Sequence, residues 1–287
     1  MPLDPDHGEM MEMSEARKAL KELINAPGQD FDLAQAALLI ACEMSPEIRP
    51  RAYLDRLDGW AAELQSRAGG LGAAERLDAL ASFLGQEQGL SGNREDYYEP
   101  ANSFLDQVLD RRLGIPISLS VVYLSVAGRL GLPLAGIPLP GHFLVAPVGG
   151  SHFYDPFEGG RRLERADLQA ILDRLFGPGT PLADAMLRPM PKRQILARLV
   201  RNLKHIYAAR GDLKLLLWAT DLGLALEPKE VDLLKERGLV YYQMSHYSKA
   251  LEDLQAYLKH APRGEGEDDS PGLQHVELIY RLLTSIN

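Results

Sequence analysis

The sequence contains little cysteine, no long apolar run and no excess of positive charge. Its single cysteine, Cys42, excludes an intramolecular disulfide and fits a reducing compartment, so we expect a cytoplasmic protein. The longest apolar runs, such as residues 36–42, fall far short of the roughly 20 residues that a membrane-spanning helix needs, so no membrane partner is expected. The net charge of −9 argues against a general nucleic-acid binder, because such proteins concentrate Lys and Arg.

The composition is that of a globular protein: 46% of the 287 residues are hydrophobic and 25% are charged, enough for two domains with sizeable cores. Residues 1–14 are acidic and Met-rich without the apolar stretch of a signal peptide, and we expect a disordered leader. Residues 15–176 are predicted to form the first domain, in whose helical N-terminal part Asp32 and Gln35 resemble a capping box. A connector marked by Pro and Gly, residues 177–191, follows. Apolar residues at helical spacing predict helices over residues 52–67, 73–84, 102–112, 116–130 and 165–176.

The C-terminal part, residues 192–263, contains an internal repeat. Shifting the sequence by 34 residues lays Tyr207 on Tyr241, and most apolar positions of the two units coincide. A 34-residue period at helical spacing is typical of tetratricopeptide helix pairs. Only two units are visible, so the helix predicted over residues 194–204 is expected to complete the stack or to dock it on the first domain. Residues 264–287 are predicted to be an acidic linker and a C-terminal helix.

The helix that begins at Pro116 places Ser118 in its first turn. A nucleophile there would gain from the positive end of the helix dipole. A serine hydroxyl, unlike a cysteine thiolate, is not appreciably ionised near neutrality and needs an adjacent base. The alternative role is helix capping, because Ser hydroxyls accept hydrogen bonds from backbone N–H groups at a helix start.

Two apolar strands are predicted after this helix, over residues 142–146 and 152–155. If residues 147–150 form the hairpin loop, His142 lies directly opposite Asp155, with Cβ atoms about 4.5–5.5 Å apart. A carboxylate at that distance can orient an imidazole, as in a nucleophile–base–orienter triad. A hydrogen-bonded pair that only fixes the hairpin is the alternative interpretation.

The order of helix, His-bearing strand and Asp-Pro strand resembles the transglutaminase-like superfamily, whose cysteine, histidine and aspartate occupy those places. Several segments also resemble the bacterial SirB family, which joins a transglutaminase-like domain to tetratricopeptide repeats. These segments are residues 102–105, 112–119, 140–145, 155–160, 193–196, 202–207 and 236–239. The resemblance implies an α+β fold, papain-like with helices on a small antiparallel sheet, followed by all-α tetratricopeptide-type hairpins. It also implies that His142 and Asp155 are the base and its orienter. The superfamily's nucleophile position falls near residues 116–118, where no cysteine is present; Ser118 is the first candidate for it, with Ser120 two residues on.

We therefore expect a transglutaminase-like protein without the cysteine nucleophile, a pseudoenzyme candidate that binds or regulates a protein or peptide partner through its cleft and repeats. The alternative is a serine-dependent hydrolase or acyl transferase of amide or peptide-like substrates. In it Ser118 attacks, His142 takes the proton and Asp155 holds the imidazole.

Three further residues are candidates for ligand binding in the same cleft: Asn102, Ser103 and Gly141. The alternatives are that Asn102 and Ser103 cap the helix after Pro100 and that Gly141 supplies an unusual backbone angle. No metal and no other cofactor is expected, because the histidines show no HExxH spacing and the single cysteine cannot form a CxxC pair.

Overall fold

The computed structural model describes residues 14–27, 30–260 and 271–286, which form two compact units. The first unit contains the described residues up to Arg94 together with Phe104–Arg188. The second contains Glu95–Ser103 and the described residues from Pro189 onward. The predicted leader, apart from its last residue, and the predicted linker over residues 264–270 lie outside the described residues. The predicted domain boundaries stay predictions.

The described part of the first unit contains seven α-helices and a small antiparallel sheet. They are α1 (Glu15–Asn25), α2 (Leu33–Met44), α3 (Pro50–Ala68), α4 (Ala73–Ser82), α5 (Leu105–Arg111), α6 (Pro116–Arg129) and α7 (Arg165–Phe176). A π-helical turn, Phe83–Glu87, continues α4. The predicted cap of α2 is present, since the Asp32 carboxylate accepts hydrogen bonds from the N–H groups of Ala34 and Gln35 at 2.8 and 3.1 Å. The helix predicted over residues 102–112 is shorter at both ends. Pro100–Asn102 form a 3₁₀ turn and α5 begins at Leu105, while Arg112 ends it in a left-handed conformation with φ of 61°.

Six short strands form two sheets. They are β1 (Ser91–Gly92), β2 (Leu113–Gly114), β3 (Leu134–Ile137), β4 (Leu144–Pro147), β5 (Phe153–Asp155) and β6 (Arg161–Leu163). Strands β1 and β2 make a parallel pair, and β3 to β6 make an antiparallel sheet in chain order. Helix α6 is buried along most of its length and packs against α3, α4 and the antiparallel sheet, while α7 covers the apolar face of β3, β4 and β5. The predicted α+β class, with helices on a small antiparallel sheet, is confirmed.

The predicted hairpin register is wrong by two residues. Val145 pairs with Tyr154, which places Asp155 opposite Leu144 and not opposite His142. The reason is that the turn closes with a hydrogen bond from Gly150 N to Pro147 O at 2.9 Å, yet two further residues precede β5. Because side chains alternate with a period of two, a shift of two residues leaves Asp155 on the predicted face.

The second unit contains five α-helices. They are α8 (Lys192–Arg210), α9 (Leu213–Leu226), α10 (Val231–Gln243), α11 (Tyr247–His260) and α12 (Pro271–Ile286). Tyr207 on α8 and Tyr241 on α10 occupy equivalent places, as the 34-residue shift predicts. The helix predicted over residues 194–204 is present within α8, which is longer and continues to Arg210. Helix α12 packs on α11 through apolar side chains that include Leu254 and Ile279.

A partly buried ion cluster fixes three of these helices. Arg237 on α10 contacts the Asp253 carboxylate on α11 at 2.7 and 2.8 Å and the Asp221 carboxylate on α9 at 2.7 Å. The next residue, Gly238, allows the close approach of α11, because a Cβ there would lie 2.8 Å from Leu254 Cδ2. Among the described residues, no helix is both long and apolar enough to cross a bilayer.

Candidate functional site

Ser118 lies in the first turn of α6, only 1% exposed. Its Oγ accepts a hydrogen bond from Ile115 N and donates one to Ile115 O, both at 3.1 Å. These are the bonds of a residue that fixes the start of a helix. Gly114 makes room for them, since a Cβ at that position would lie 2.8 Å from Ser118 Oγ. The next serine of the helix, Ser120, donates to Pro116 O at 2.7 Å.

His142 and Asp155 are brought together. The distance from His142 Nε2 to Asp155 Oδ2 is 2.8 Å. His142 reaches the carboxylate from a turn before β4, where its N–H donates to Leu139 O at 2.9 Å. The predicted contact between the His142 imidazole and the Asp155 carboxylate is therefore present although the register differs by two residues. It forms because His142 lies outside β4 and reaches Asp155 diagonally.

The Asp155 carboxylate is held on both oxygens. While Oδ2 contacts His142, Oδ1 accepts hydrogen bonds from Phe157 N at 3.0 Å and Glu158 N at 3.3 Å, because Asp155 caps a short 3₁₀ turn over Pro156–Glu158. The carboxylate is 4% exposed and the imidazole 14%. This arrangement can fix the orientation and the tautomer of the imidazole.

An aromatic residue that sequence reasoning did not select supports the pair. The ring of Phe157 meets the His142 ring edge to face, with centroids 6.1 Å apart, and the Arg94 guanidinium lies over the Phe157 ring. Arg94 also forms an ion pair with Glu158. A Cβ at Gly92 would lie 2.3 Å from the Phe157 ring, so strand β1 needs glycine there. The signal in the sequence that could have identified Phe157 is its place two residues after Asp155, in the order Asp-Pro-Phe.

The predicted ligand-binding residues do not all lie in one unit. Asn102 and Ser103 belong to the second unit, whereas Gly141 belongs to the first. Asn102 is fully buried and donates to the carbonyl groups of Asp96 at 2.7 Å and Tyr97 at 3.2 Å, so it orders its own loop. The alternative that it caps the following helix is wrong, since the residue before α5 is Phe104 and no side chain caps it.

Gly141 has a backbone φ of 71°, which a residue with a side chain rarely adopts. A Cβ there would also lie 2.8 Å from Leu175 Cδ1. Leu175 and the neighbouring Phe176, at the end of α7, are both exposed. Glycine is therefore required next to His142 for reasons of backbone conformation and packing.

Comparisons with known proteins agree with this architecture. The model of the transglutaminase-like superfamily matches residues 51–201, and a tetratricopeptide-repeat model matches residues 203–276. A UPF0162 protein of Xylella fastidiosa strain Temecula1 is 38% identical over 252 residues, which cover 86% of this chain and 90% of that protein. The chain belongs to the UPF0162 family of transglutaminase-like proteins.

Two further relatives match a smaller part of this chain. A Vibrio cholerae UPF0162 protein is 34% identical over 190 residues, 65% of this chain and 70% of that protein. Human F-box only protein 21 is 32% identical over 181 residues, 58% of this chain but 28% of that longer protein. No solved structure matches the chain.

This UPF0162 chain has its only thiol outside α6. Cys42 lies on α2, where it is partly buried and its Sγ is 3.9 Å from Ile48 O. Burial raises the pKa of the Cys42 thiol, and the negative charges of Asp106 and Glu47 raise it further. A thiol in this environment is a weak nucleophile because little of it is ionised. Within the described residues, no group of three or more His, Cys, Asp or Glu side chains is arranged to hold a metal ion.

The repeat unit of this UPF0162 chain has a polar groove of its own. A cavity of about 300 Å³ lies between α8, α9 and α10. Its wall contains an ion pair between Lys204 and Glu236, and Arg201 lies 3.5 Å from the Glu227 carboxylate. Burial lowers the pKa of His205 in the same wall, and the positive charge of Lys204 lowers it further. The groove therefore offers charges of both signs beside an apolar floor.

Proposed function

We propose that this chain is a non-classical transglutaminase-like protein that binds a protein or peptide partner and turns over little or no substrate. The repeat unit would hold the partner, and the turn around His142 and Asp155 would serve as a polar recognition element. The location consistent with this role and with the single cysteine is the cytoplasm. The resemblance to the SirB family stays a prediction.

The observation that carries the proposal is the state of Ser118. Its hydroxyl is buried and bonded to both backbone groups of Ile115, so attack on a substrate would require it to leave the helix cap. No cysteine stands in its place, and burial raises the pKa of the Cys42 thiol, which lies on another helix.

A serine-dependent hydrolase or acyl transferase is the second candidate, and the His142–Asp155 geometry favours it. A carboxylate fixed by two backbone N–H groups and 2.8 Å from an imidazole nitrogen is the second half of a catalytic triad. Because Asp155 contacts Nε2, the nitrogen that accepts the Ser118 proton would be Nδ1. The proton would pass to Nδ1 as Ser118 Oγ bonds to the carbonyl carbon, and then to the leaving amine.

Fluorophosphonate labelling separates the two candidates. The whole chain, Ser118→Ala, His142→Ala and the control Ser120→Ala would be incubated with a serine-directed fluorophosphonate and examined by intact mass. Ser120 is the matched control because it is buried on the same helix and bonds a backbone carbonyl. We expect no labelling of the folded chain. Labelling that disappears in Ser118→Ala, weakens in His142→Ala and persists in Ser120→Ala would establish the hydrolase and refute the proposal.

Partner binding needs a test of its own. Peptides selected on the full chain from a random library would be titrated by calorimetry against wild type, Arg201→Ala and Arg281→Ala. Arg201 lines the groove of the repeat unit, whereas Arg281 on α12 is 79% exposed and lies outside that groove. We expect Arg201→Ala to weaken binding by about tenfold and Arg281→Ala to leave it unchanged. Equal affinity for all three chains would remove the groove from the proposal.

A further inference from the structure

A second cavity lies within the first unit, beside the residues that neighbour Cys42. Its volume is about 460 Å³, within the range of small-ligand pockets. It is bounded by the loop after α2, the first turns of α3 and one side of α5. None of Ser118, His142 and Asp155 lines it. Its walls combine two carboxylates on α5 with an apolar surface, and they also contain the carboxylate of Glu47 and the guanidinium groups of Arg49 and Arg56.

The decisive group in this cavity is Asp106, which is only 3% exposed. One of its oxygens, Oδ2, accepts a hydrogen bond from Gln107 Nε2 at 2.9 Å. The other, Oδ1, is buried and has no hydrogen-bond partner among the described residues. Nor does any described Lys, Arg or His side chain form an ion pair with Asp106. A buried carboxylate oxygen in this state is unfavourable unless a donor or a cation reaches it.

The other carboxylate on α5, Asp110, is already satisfied. Arg56 Nη2 lies 2.9 Å from Asp110 Oδ1, and the Tyr53 hydroxyl donates to Asp110 Oδ2 at 2.8 Å. Asp110 therefore has a cation and a neutral donor of its own. Asp106 is the one carboxylate of the two that lacks a positive partner.

The rest of the wall limits what that partner can be. Ile48, Ala52 and the ring of Tyr53 line the same cavity and offer apolar surface to an alkyl chain. A divalent metal does not fit, since the described residues hold no cluster of three or more metal-binding side chains. A group that combines N–H donors, positive charge and a short alkyl chain satisfies both Asp106 and the apolar wall.

We propose that this cavity binds a primary ammonium group carried on an alkyl chain, with Asp106 as its carboxylate partner. The ammonium pairs with the Asp106 carboxylate, and the methylene groups lie against Ile48, Ala52 and Tyr53. Two sources share this chemistry, a free alkylamine and the side chain of a lysine in a partner protein. The site is independent of the function proposed above, since it uses none of the same residues.

Binding would be measured by calorimetry on the full chain at low ionic strength with three probes. n-Butylamine represents the free amine, Nα-acetyl-lysine-N-methylamide represents the lysine side chain, and n-butanol is the neutral control of similar shape. We expect saturable binding of both amines and none of the alcohol. The tighter amine identifies the source.

Three variants make the test specific. Asp106→Asn keeps the shape but removes the charge, and Ala52→Leu adds bulk to the cavity wall while Asp106 stays in place. Asp55→Asn is the control, since Asp55 lies on the same helix as Ala52 but is 54% exposed and outside the cavity. We expect Asp106→Asn and Ala52→Leu each to weaken amine binding by about tenfold or more and Asp55→Asn to leave it unchanged.

Two results would overturn the proposal. The first is amine binding that is the same in wild type, Asp106→Asn and Ala52→Leu, which would mean nonspecific pairing with surface carboxylates. The second is a wild-type chain that binds neither amine at millimolar concentration, which would mean that solvent alone satisfies Asp106. If Asp106→Asn fails to fold, Ala52→Leu decides the question because it retains the carboxylate.

Discussion

Gly85, in the π-helical turn that continues α4, lies very close to the backbone of Gly159, in the turn that follows Asp155. The substitution Gly85→Ala tests this contact. An ideal Cβ at Gly85 would lie 1.8 Å from the carbonyl oxygen of Gly159 and 2.2 Å from its carbonyl carbon. Both are backbone atoms of the turn in which Gly160 N donates to Asp155 O at 2.8 Å. No change of rotamer can relieve such a contact, so the turn itself must move.

The size of the effect follows from the depth of the overlap. The contact is about 1.6 Å shorter than the 3.4 Å at which ordinary van der Waals contact begins. Overpacking of an interior costs about 1–3 kcal/mol, and we expect about 3 kcal/mol because backbone must be displaced. For a domain of this size, each kcal/mol lowers the melting temperature by about 2–4 °C. The unfolding transition of the first unit should therefore fall by about 6–12 °C.

Calorimetric unfolding measures this effect, with Gly59→Ala as the matched control. Gly59 lies on the exposed side of α3, and nothing lies within 4 Å of the place that an alanine methyl group would take, so alanine there should be neutral or stabilising by up to about 1 kcal/mol. A second readout is the ¹⁵N spectrum of the His142 ring, which should change in Gly85→Ala and not in Gly59→Ala. If both variants unfold at the same temperature, the argument that the two backbones are in contact is refuted.

Two further predictions concern charge. Asp106→Asn should lower the pKa of the Cys42 thiol, because it removes a negative charge that raises this pKa. Iodoacetamide should therefore alkylate this single thiol faster than in wild type between about pH 7 and 9. An unchanged pH–rate profile would mean that the two groups do not interact. Asp253→Ala should destabilise the repeat unit by about 3 kcal/mol in urea unfolding, because it removes the main partner of the partly buried Arg237. The control is Asp232→Ala, which removes an exposed carboxylate and should cost less than about 0.5 kcal/mol. Equal midpoints for these two variants would contradict the importance of the ion cluster.

Local signals in the sequence predicted much of the fold. The Asp32 cap and the helix over residues 165–176 agree with α2 and α7, because capping and apolar periodicity depend on residues close together in the chain. The 34-residue repeat was equally accessible, since each unit carries its own copy of the pattern. The family resemblance added the order of elements, which local patterns alone do not provide.

What sequence could not predict depends on contacts between distant segments. The register of β4 and β5 required knowing that two residues follow the turn before pairing begins, and no local pattern marks them. The grouping of Glu95–Ser103 with the second unit is likewise a long-range property. Asp106 resembles an ordinary exposed acid in the first turn of a helix, a place that favours negative charge, and only packing shows that it is buried.

The two buried aspartates of the first unit differ in a way that bears on function. Asp155 contacts His142 with one oxygen and accepts two backbone hydrogen bonds with the other, so this chain supplies all that its charge requires. Asp106 receives only one bond, from its neighbour Gln107. A group that is satisfied within the fold stabilises the fold, whereas a buried charge that lacks a partner favours whatever ligand provides one. The superfamily's histidine and aspartate can therefore persist here as a rigid element of the turn, while the need for a ligand lies at the cavity beside α5. If so, variants of His142 should change stability more than binding of amines, and variants of Asp106 should do the reverse.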